Sequence, residues 1–153
     1  MVYEKKDFSQ FPVSLKLTII WVFLICMFRL FSGAVGLIST LSINITITDW
    51  VAGFVFLRLA NGLIRGDNWS RLETMIWISL GSLIRIYLIA MAIINSDTTL
   101  VMRFLQYQTL IPELYGMTFL IVNVMINIGV LLVLWNFEIK NIFVSQVTPR
   151  DTT

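Results

Sequence analysis

Four long apolar stretches, separated by short polar segments, decide what this chain can become. They run over residues 17–38, 47–64, 72–94 and 114–137. A helix needs ~20 predominantly apolar residues to cross a hydrocarbon layer, and inside that layer every backbone N–H and C=O must find its partner within the helix. Each block is close to that length. Of the 153 residues, 58% are hydrophobic and 13% charged, whereas a soluble domain is roughly half apolar and about one quarter charged. The reading is all-α: a polytopic membrane protein with four transmembrane helices in one bundle, a single domain over 1–153. Met1 to Lys16 is polar and basic. The block after it is too long for the apolar core of a cleaved signal, so it is expected to stay as the first helix.

The positive charges give an orientation. Lys5, Lys6, Lys16, Arg65, Arg71, Lys140 and Arg150, seven in all, fall on one side of this arrangement, and only Arg103 falls on the other. Basic residues in short loops stay in the cytoplasm, so both termini and the turn between helices two and three are expected there, an N-in/C-in topology. Trp50 and Trp69 sit where interfacial anchors belong. Asp49 is read near the amino end of helix two, where an acid suits the helix dipole. The segment 100–111 is too short and too polar to span. Either an interfacial helix ended by Pro112 or a loop across the bundle mouth accounts for it. Glu138 to Thr153 is read as a polar, frayed tail.

Three arginines, Arg29, Arg58 and Arg85, interrupt the apolar blocks, with no carboxylate expected at comparable depth. Such a charge costs a few kcal/mol, and it usually faces a bundle interior or a wet cavity. Spacings of three and four place each on a small or polar stripe. Arg29 shares a face with Ser32, Gly33 and Gly36. Arg58 aligns with Asn61, Gly62 and Arg65, and Arg85 with Gly81 and Ser82. Helix four carries Asn123 and Asn127 one turn apart. Small residues let helices approach closely, and amides and hydroxyls bond across the gap. Ser32, Gly33, Gly36, Gly62, Gly81 and Ser82 are therefore candidates for helix packing. Arg29, Arg58, Arg85, Asn61, Asn123 and Asn127 are candidates for an intramembrane polar site. Arg85 has Asp49, Asp97 or Glu113 within reach, and Arg58 has Asp67 or Glu73. For Arg29 the expected partners are Asn123, Asn127 or helix carbonyls. Two readings stay open: internal staples, or a site for an anion, a lipid head group or a partner's acidic side chain.

The turn Gly62-Leu63-Ile64-Arg65-Gly66-Asp67-Asn68-Trp69-Ser70-Arg71 resembles the G-L-x-x-G-x-x-W-x-R turn of small four-helix bacterial inner-membrane proteins. The resemblance covers about ten residues, and it implies a bacterial tetraspan without implying an activity.

Catalysis is not expected. The chain has no histidine and a single cysteine, Cys26, inside an apolar run. It shows no metal-ligand cluster and no carboxylate pair within a span, so no catalytic residue, metal or cofactor is assigned. A net charge of +2 does not suggest nucleic acid. The expected partners are the lipid bilayer and another membrane protein or a second copy. That is the behaviour of an accessory subunit or of an immunity or defence-type tetraspan. The alternative is an oligomeric channel or carrier for anions, lined by the arginines.

Overall fold

The computed structural model describes the backbone of residues 8–38, 43–94, 101–104, 107–110 and 113–144, and the side chains of 8–36, 46–91, 93–94 and 116–143. Among these residues, a short 3-10 turn at Phe8–Gln10 leads into α1 (Val13–Ile38). Then follow α2 (Ile43–Ile64), α3 (Asn68–Ile94), strands β1 (Val101–Phe104) and β2 (Tyr107–Leu110), α4 (Glu113–Trp135) and α5 (Phe137–Val144). Stretches of α1 to α4 covering 13–36, 46–64, 68–91 and 116–135 are long and apolar enough to cross a membrane. In sequence order α1 packs on α2, α2 on α3 and α3 on α4, and α4 closes the ring against α1.

Two ends of the bundle differ. At the end that holds the α2–α3 turn, Phe11, Leu15, Ile19 and Val22 of the first segment meet Leu59 and Leu63, Ile78, Leu134, and Ile139 and Phe143 of α5 in one apolar core. Toward the opposite end, which holds the β1–β2 hairpin, the buried side chains turn polar or small: Ser32, Thr46, Asp49, Ser82 and Asn127.

The α2–α3 turn is built by local rules. Gly66 has φ 73°, a left-handed conformation that a Cβ disfavours. Its N–H donates to Leu63 O and the Asp67 N–H to Gly62 O, the paired bonds of a Schellman helix end. Asp67 then caps α3, its carboxylate accepting from the N–H groups of Trp69 and Ser70 and from the Ser70 hydroxyl. A Cβ at Gly62 would collide with the Ser70 side chain, so glycine here sets how closely α2 and α3 approach.

Several expectations change. Helix two begins at Ile43, a turn earlier than the Ser/Thr/Asn-rich composition of 39–48 suggested, because Thr46, Asp49 and Gly53 continue its buried stripe. Residues 101–104 and 107–110 are neither an interfacial helix nor a plain loop. They pair as an antiparallel hairpin with Val101 opposite Leu110 and Phe104 opposite Tyr107, and their β-branched and aromatic content favours strands. The tail is not frayed throughout. Asn136 Oδ1 accepts from the Glu138 N–H, starting α5, whose Ile139 and Phe143 are buried four residues apart. Trp69 and Trp135 stand exposed at the turn end. Trp50 packs inward, its indole seated on Gly33 of α1.

Candidate functional site

The α1–α2 contact places the first arginine. A Cβ at Gly33 would overlap the Trp50 indole, and one at Gly53 would sit 2.6 Å from Leu30 Cδ2. Two glycines on opposite helices thus each receive a side chain from the other helix. Between these interlocks Arg29 Nη1 donates to Asp49 Oδ1 at 2.7 Å, and Ser32 Oγ donates to Asp49 Oδ2 at 2.7 Å. Asp49 is the sequestered member, its side chain 9% exposed against 43% for Arg29.

This overturns the expectation that Arg29 lacks a carboxylate and bonds Asn123, Asn127 or helix carbonyls. The extra helical turn at the start of α2 carries Asp49 from the helix end down into the span. Arg29 lies nine residues from the hairpin end of α1, and Asp49 six residues from that of α2. At 1.5 Å per residue these are depths of ~13 and ~9 Å, within reach of an arginine side chain.

Arg85 lies nine residues from the end of α3, level with Arg29. Its Nη1 donates to Gly81 O of its own helix at 2.8 Å. Asp49, one of its expected partners, is bonded by Arg29 and Ser32 instead; the side chains of Asp97 and Glu113 lie outside the described residues. The bond to Gly81, one turn back along α3, directs the guanidinium toward the middle of the bundle. Counted along their helices, two guanidinium groups and one carboxylate share this level among the described residues.

The remaining candidates separate. Arg58 Nη2 pairs with Glu73 at 3.1 Å near the turn end, one of the two partners expected for it. Asn61 is exposed at the end of α2 and joins no described polar cluster. Asn123 is half-buried on α4. Asn127, 3% exposed, donates to Ser82 Oγ at 3.1 Å, and Ser82 donates to Ile78 O, so this pair ties α4 to α3. Among the described residues Asn127 Oδ1 is buried without a partner. Gly36 is buried. Gly81, expected at a helix contact, has only the Arg85 guanidinium where a Cβ would point.

Arg71 was read as a loop charge, yet it is 5% exposed. Its Nη1 donates to Leu134 O at 2.9 Å, its Nε to Asn68 Oδ1 at 3.0 Å, and its guanidinium lies 6.0 Å from the Phe143 ring centre. A cation on a carbonyl in the last turn of α4 satisfies an orphan acceptor at the negative end of the helix dipole. At the adjoining turn, burial pushes the Asp67 carboxyl up, but the bonds from the Ser70 hydroxyl and from the Ser70 and Trp69 N–H groups, with the Arg58 charge, outweigh that and hold it below the usual carboxylate range.

α3 is packed on one narrow stripe. Thr74, Ile78 and Ser82 are buried, Arg85 and Ile89 half-buried, and Leu83, Ile84, Ile86, Tyr87 and Leu88 exposed around the rest of the helix. Compared with known proteins, the chain matches no family model, no curated protein and no solved structure.

Proposed function

We propose that this chain is an integral membrane protein of the bacterial inner-membrane type, with four transmembrane helices and both termini in the cytoplasm, and that it works by binding another membrane protein. The observation that carries the reading is the hairpin-end half of α3. That segment holds Arg85 yet touches the bundle along a single stripe and exposes the rest of its circumference. An arginine inside a span is retained where it meets a bundle interior, a cavity or a partner. The apolar outer faces of all four helices suit lipid, and exposed apolar surface on this scale is rare on soluble monomers. The exposed Trp69 and Trp135 at the turn end, together with the seven basic residues expected there, support the orientation. An accessory, immunity or defence role fits an object of this size, in which no residue is assigned to catalysis.

The anion-pore reading fits less well. Arg29 and Arg58 are each engaged with a carboxylate, which leaves Arg85 as the basis of a selectivity ring.

A photo-crosslinking residue placed at Tyr87 in native membranes tests the proposal. The expected result is discrete protein adducts from position 87 and lipid adducts alone from Met125 on α4, which is also exposed. Lipid adducts alone from both positions would refute it. The mass in mild detergent separates the alternative: a closed ring of identical subunits supports the pore, and a monomer excludes it.

A further inference from the structure

Resting on the reading above, we propose that the partner supplies a carboxylate: the outer half of α3 receives a transmembrane helix of a different protein that carries an Asp or Glu at mid-bilayer, and Arg85 is the group it pairs with. Charge complementarity carries the assignment. Arg29 and Arg85 stand level on α1 and α3, and among the described residues Asp49 alone answers them. Among the described side chains the cluster therefore holds one more positive charge than negative, where charge is costly. Arg85 bonds a carbonyl of its own helix through one N–H, and a guanidinium has five donors. A carboxylate arriving alongside α3 is matched bidentately by such a fork.

Three other occupants fit worse. The four candidate spans of a second copy offer no spare carboxylate at this depth: the two they contain are Asp49, held by Arg29 and Ser32, and Glu73, held by Arg58 near the opposite end. A lipid head group would draw the side chain toward the nearer surface by snorkelling, yet Arg85 reaches back to Gly81, toward the bundle's middle. A small diffusible anion gives no account of the apolar surface around Arg85, where Leu83, Ile84 and Leu88 lie open; a helix covers that surface and delivers the charge together.

The experiment uses the full chain in liposomes of zwitterionic lipid and two dansyl-labelled peptides. Each peptide is an apolar Leu/Ala helix of spanning length, with either Glu or Gln at its centre. Energy transfer from the protein's tryptophans reads association. The Glu peptide is expected to associate at least tenfold more tightly than the Gln peptide. Arg85→Leu should abolish that preference and Arg58→Leu should keep it. Circular dichroism and thermal melting confirm that both variants fold; if Arg85→Leu does not fold, Arg85→Lys replaces it and should weaken the preference by losing the bidentate fork.

Equal association of the two peptides overturns the carboxylate assignment and leaves the interaction reading standing. Failure of both peptides to associate removes the interaction reading itself. A Glu preference erased by anionic lipid gives the site to a lipid phosphate, and a dimer or larger oligomer whose formation Arg85→Leu prevents gives it to a second copy. Either result overturns the proposal.

Discussion

Arg29 and Asp49 make the most demanding prediction, because the two members of the pair are unequally buried. Asp49 accepts two bonds at 2.7 Å, from Arg29 and from Ser32, and its side chain is 9% exposed against 43% for Arg29. Removing the arginine strands a buried carboxylate. Removing the carboxylate strands a guanidinium that already reaches the surface. Interhelical hydrogen bonds in membranes average ~0.6 kcal/mol and reach ~1.7, and charge-assisted ones are about twice as strong as neutral ones. Breaking one partner of a fully buried pair costs ~3–5 kcal/mol, and the exposure of Arg29 places this pair toward the low end. Arg29→Met should therefore cost about 3 kcal/mol and Asp49→Leu about 1.5 kcal/mol. The double variant, with neither charge and similar volumes, should cost no more than about 1.5 kcal/mol, a coupling of about 3 kcal/mol. Reversible unfolding by SDS titration, followed by circular dichroism, measures all three. A double variant whose loss equals the sum of the singles, or an Asp49→Leu loss larger than that of Arg29→Met, would refute the reasoning.

Three further outcomes follow from the turn end. Arg71→Met should lose about 2 kcal/mol through the uncapped Leu134 carbonyl, and limited proteolysis should then release α5 while α1–α4 stay protected. Gly66→Ala should lower stability by about 1 kcal/mol at φ 73°, and Gly66→Asn by less, both read in thermal melts. Asp67→Ala should cost about 1 kcal/mol at neutral pH as a lost helix cap. The Asp67 carboxyl lies below its ordinary value when folded, so the unfolded chain binds that proton more tightly. Its contribution is therefore full above the unfolded value of about 4 and fades as the pH falls through the folded one. The gap between wild type and Asp67→Ala should close below about pH 4.

The four long helices were legible because each apolar block carries its own signal over five or more turns. Arg58–Glu73 was legible to within two candidates, Asp67 and Glu73, since a tight turn brings the end of one helix beside the start of the next. Arg29–Asp49 was missed through one misplaced boundary. Starting α2 at Ile47 leaves Asp49 as a terminal residue, whereas tracing the stripe back from Gly53 by four and by seven residues reaches Asp49 and Thr46 and would have extended the helix. Arg71 was hidden because its acceptor, Leu134 O, lies 63 residues away and a backbone carbonyl leaves no mark in the sequence. In α5, two buried residues, Ile139 and Phe143, flank the exposed Lys140 and Asn141, and the polar residues around them concealed the pair. Gly81 shows the reverse error: a small residue that met spacing rules but faces its own helix's arginine.

The interlocked α1–α2 pair has a consequence for how the protein is made. A first helix released alone into the bilayer would carry Arg29 at a penalty of ~2.5–3.5 kcal/mol on insertion scales. Its counter-ion emerges from the ribosome twenty residues later, together with the indole that fills Gly33. The two helices therefore gain by leaving the translocon together, as a hairpin already neutral inside and already packed. α3 brings a second arginine with no carboxylate of its own helix at that level, so in a membrane it would gain from a hairpin already in place. In that order α1–α2 would be complete in itself, while Arg85 of α3 is held, among the described residues, by a carbonyl of its own helix.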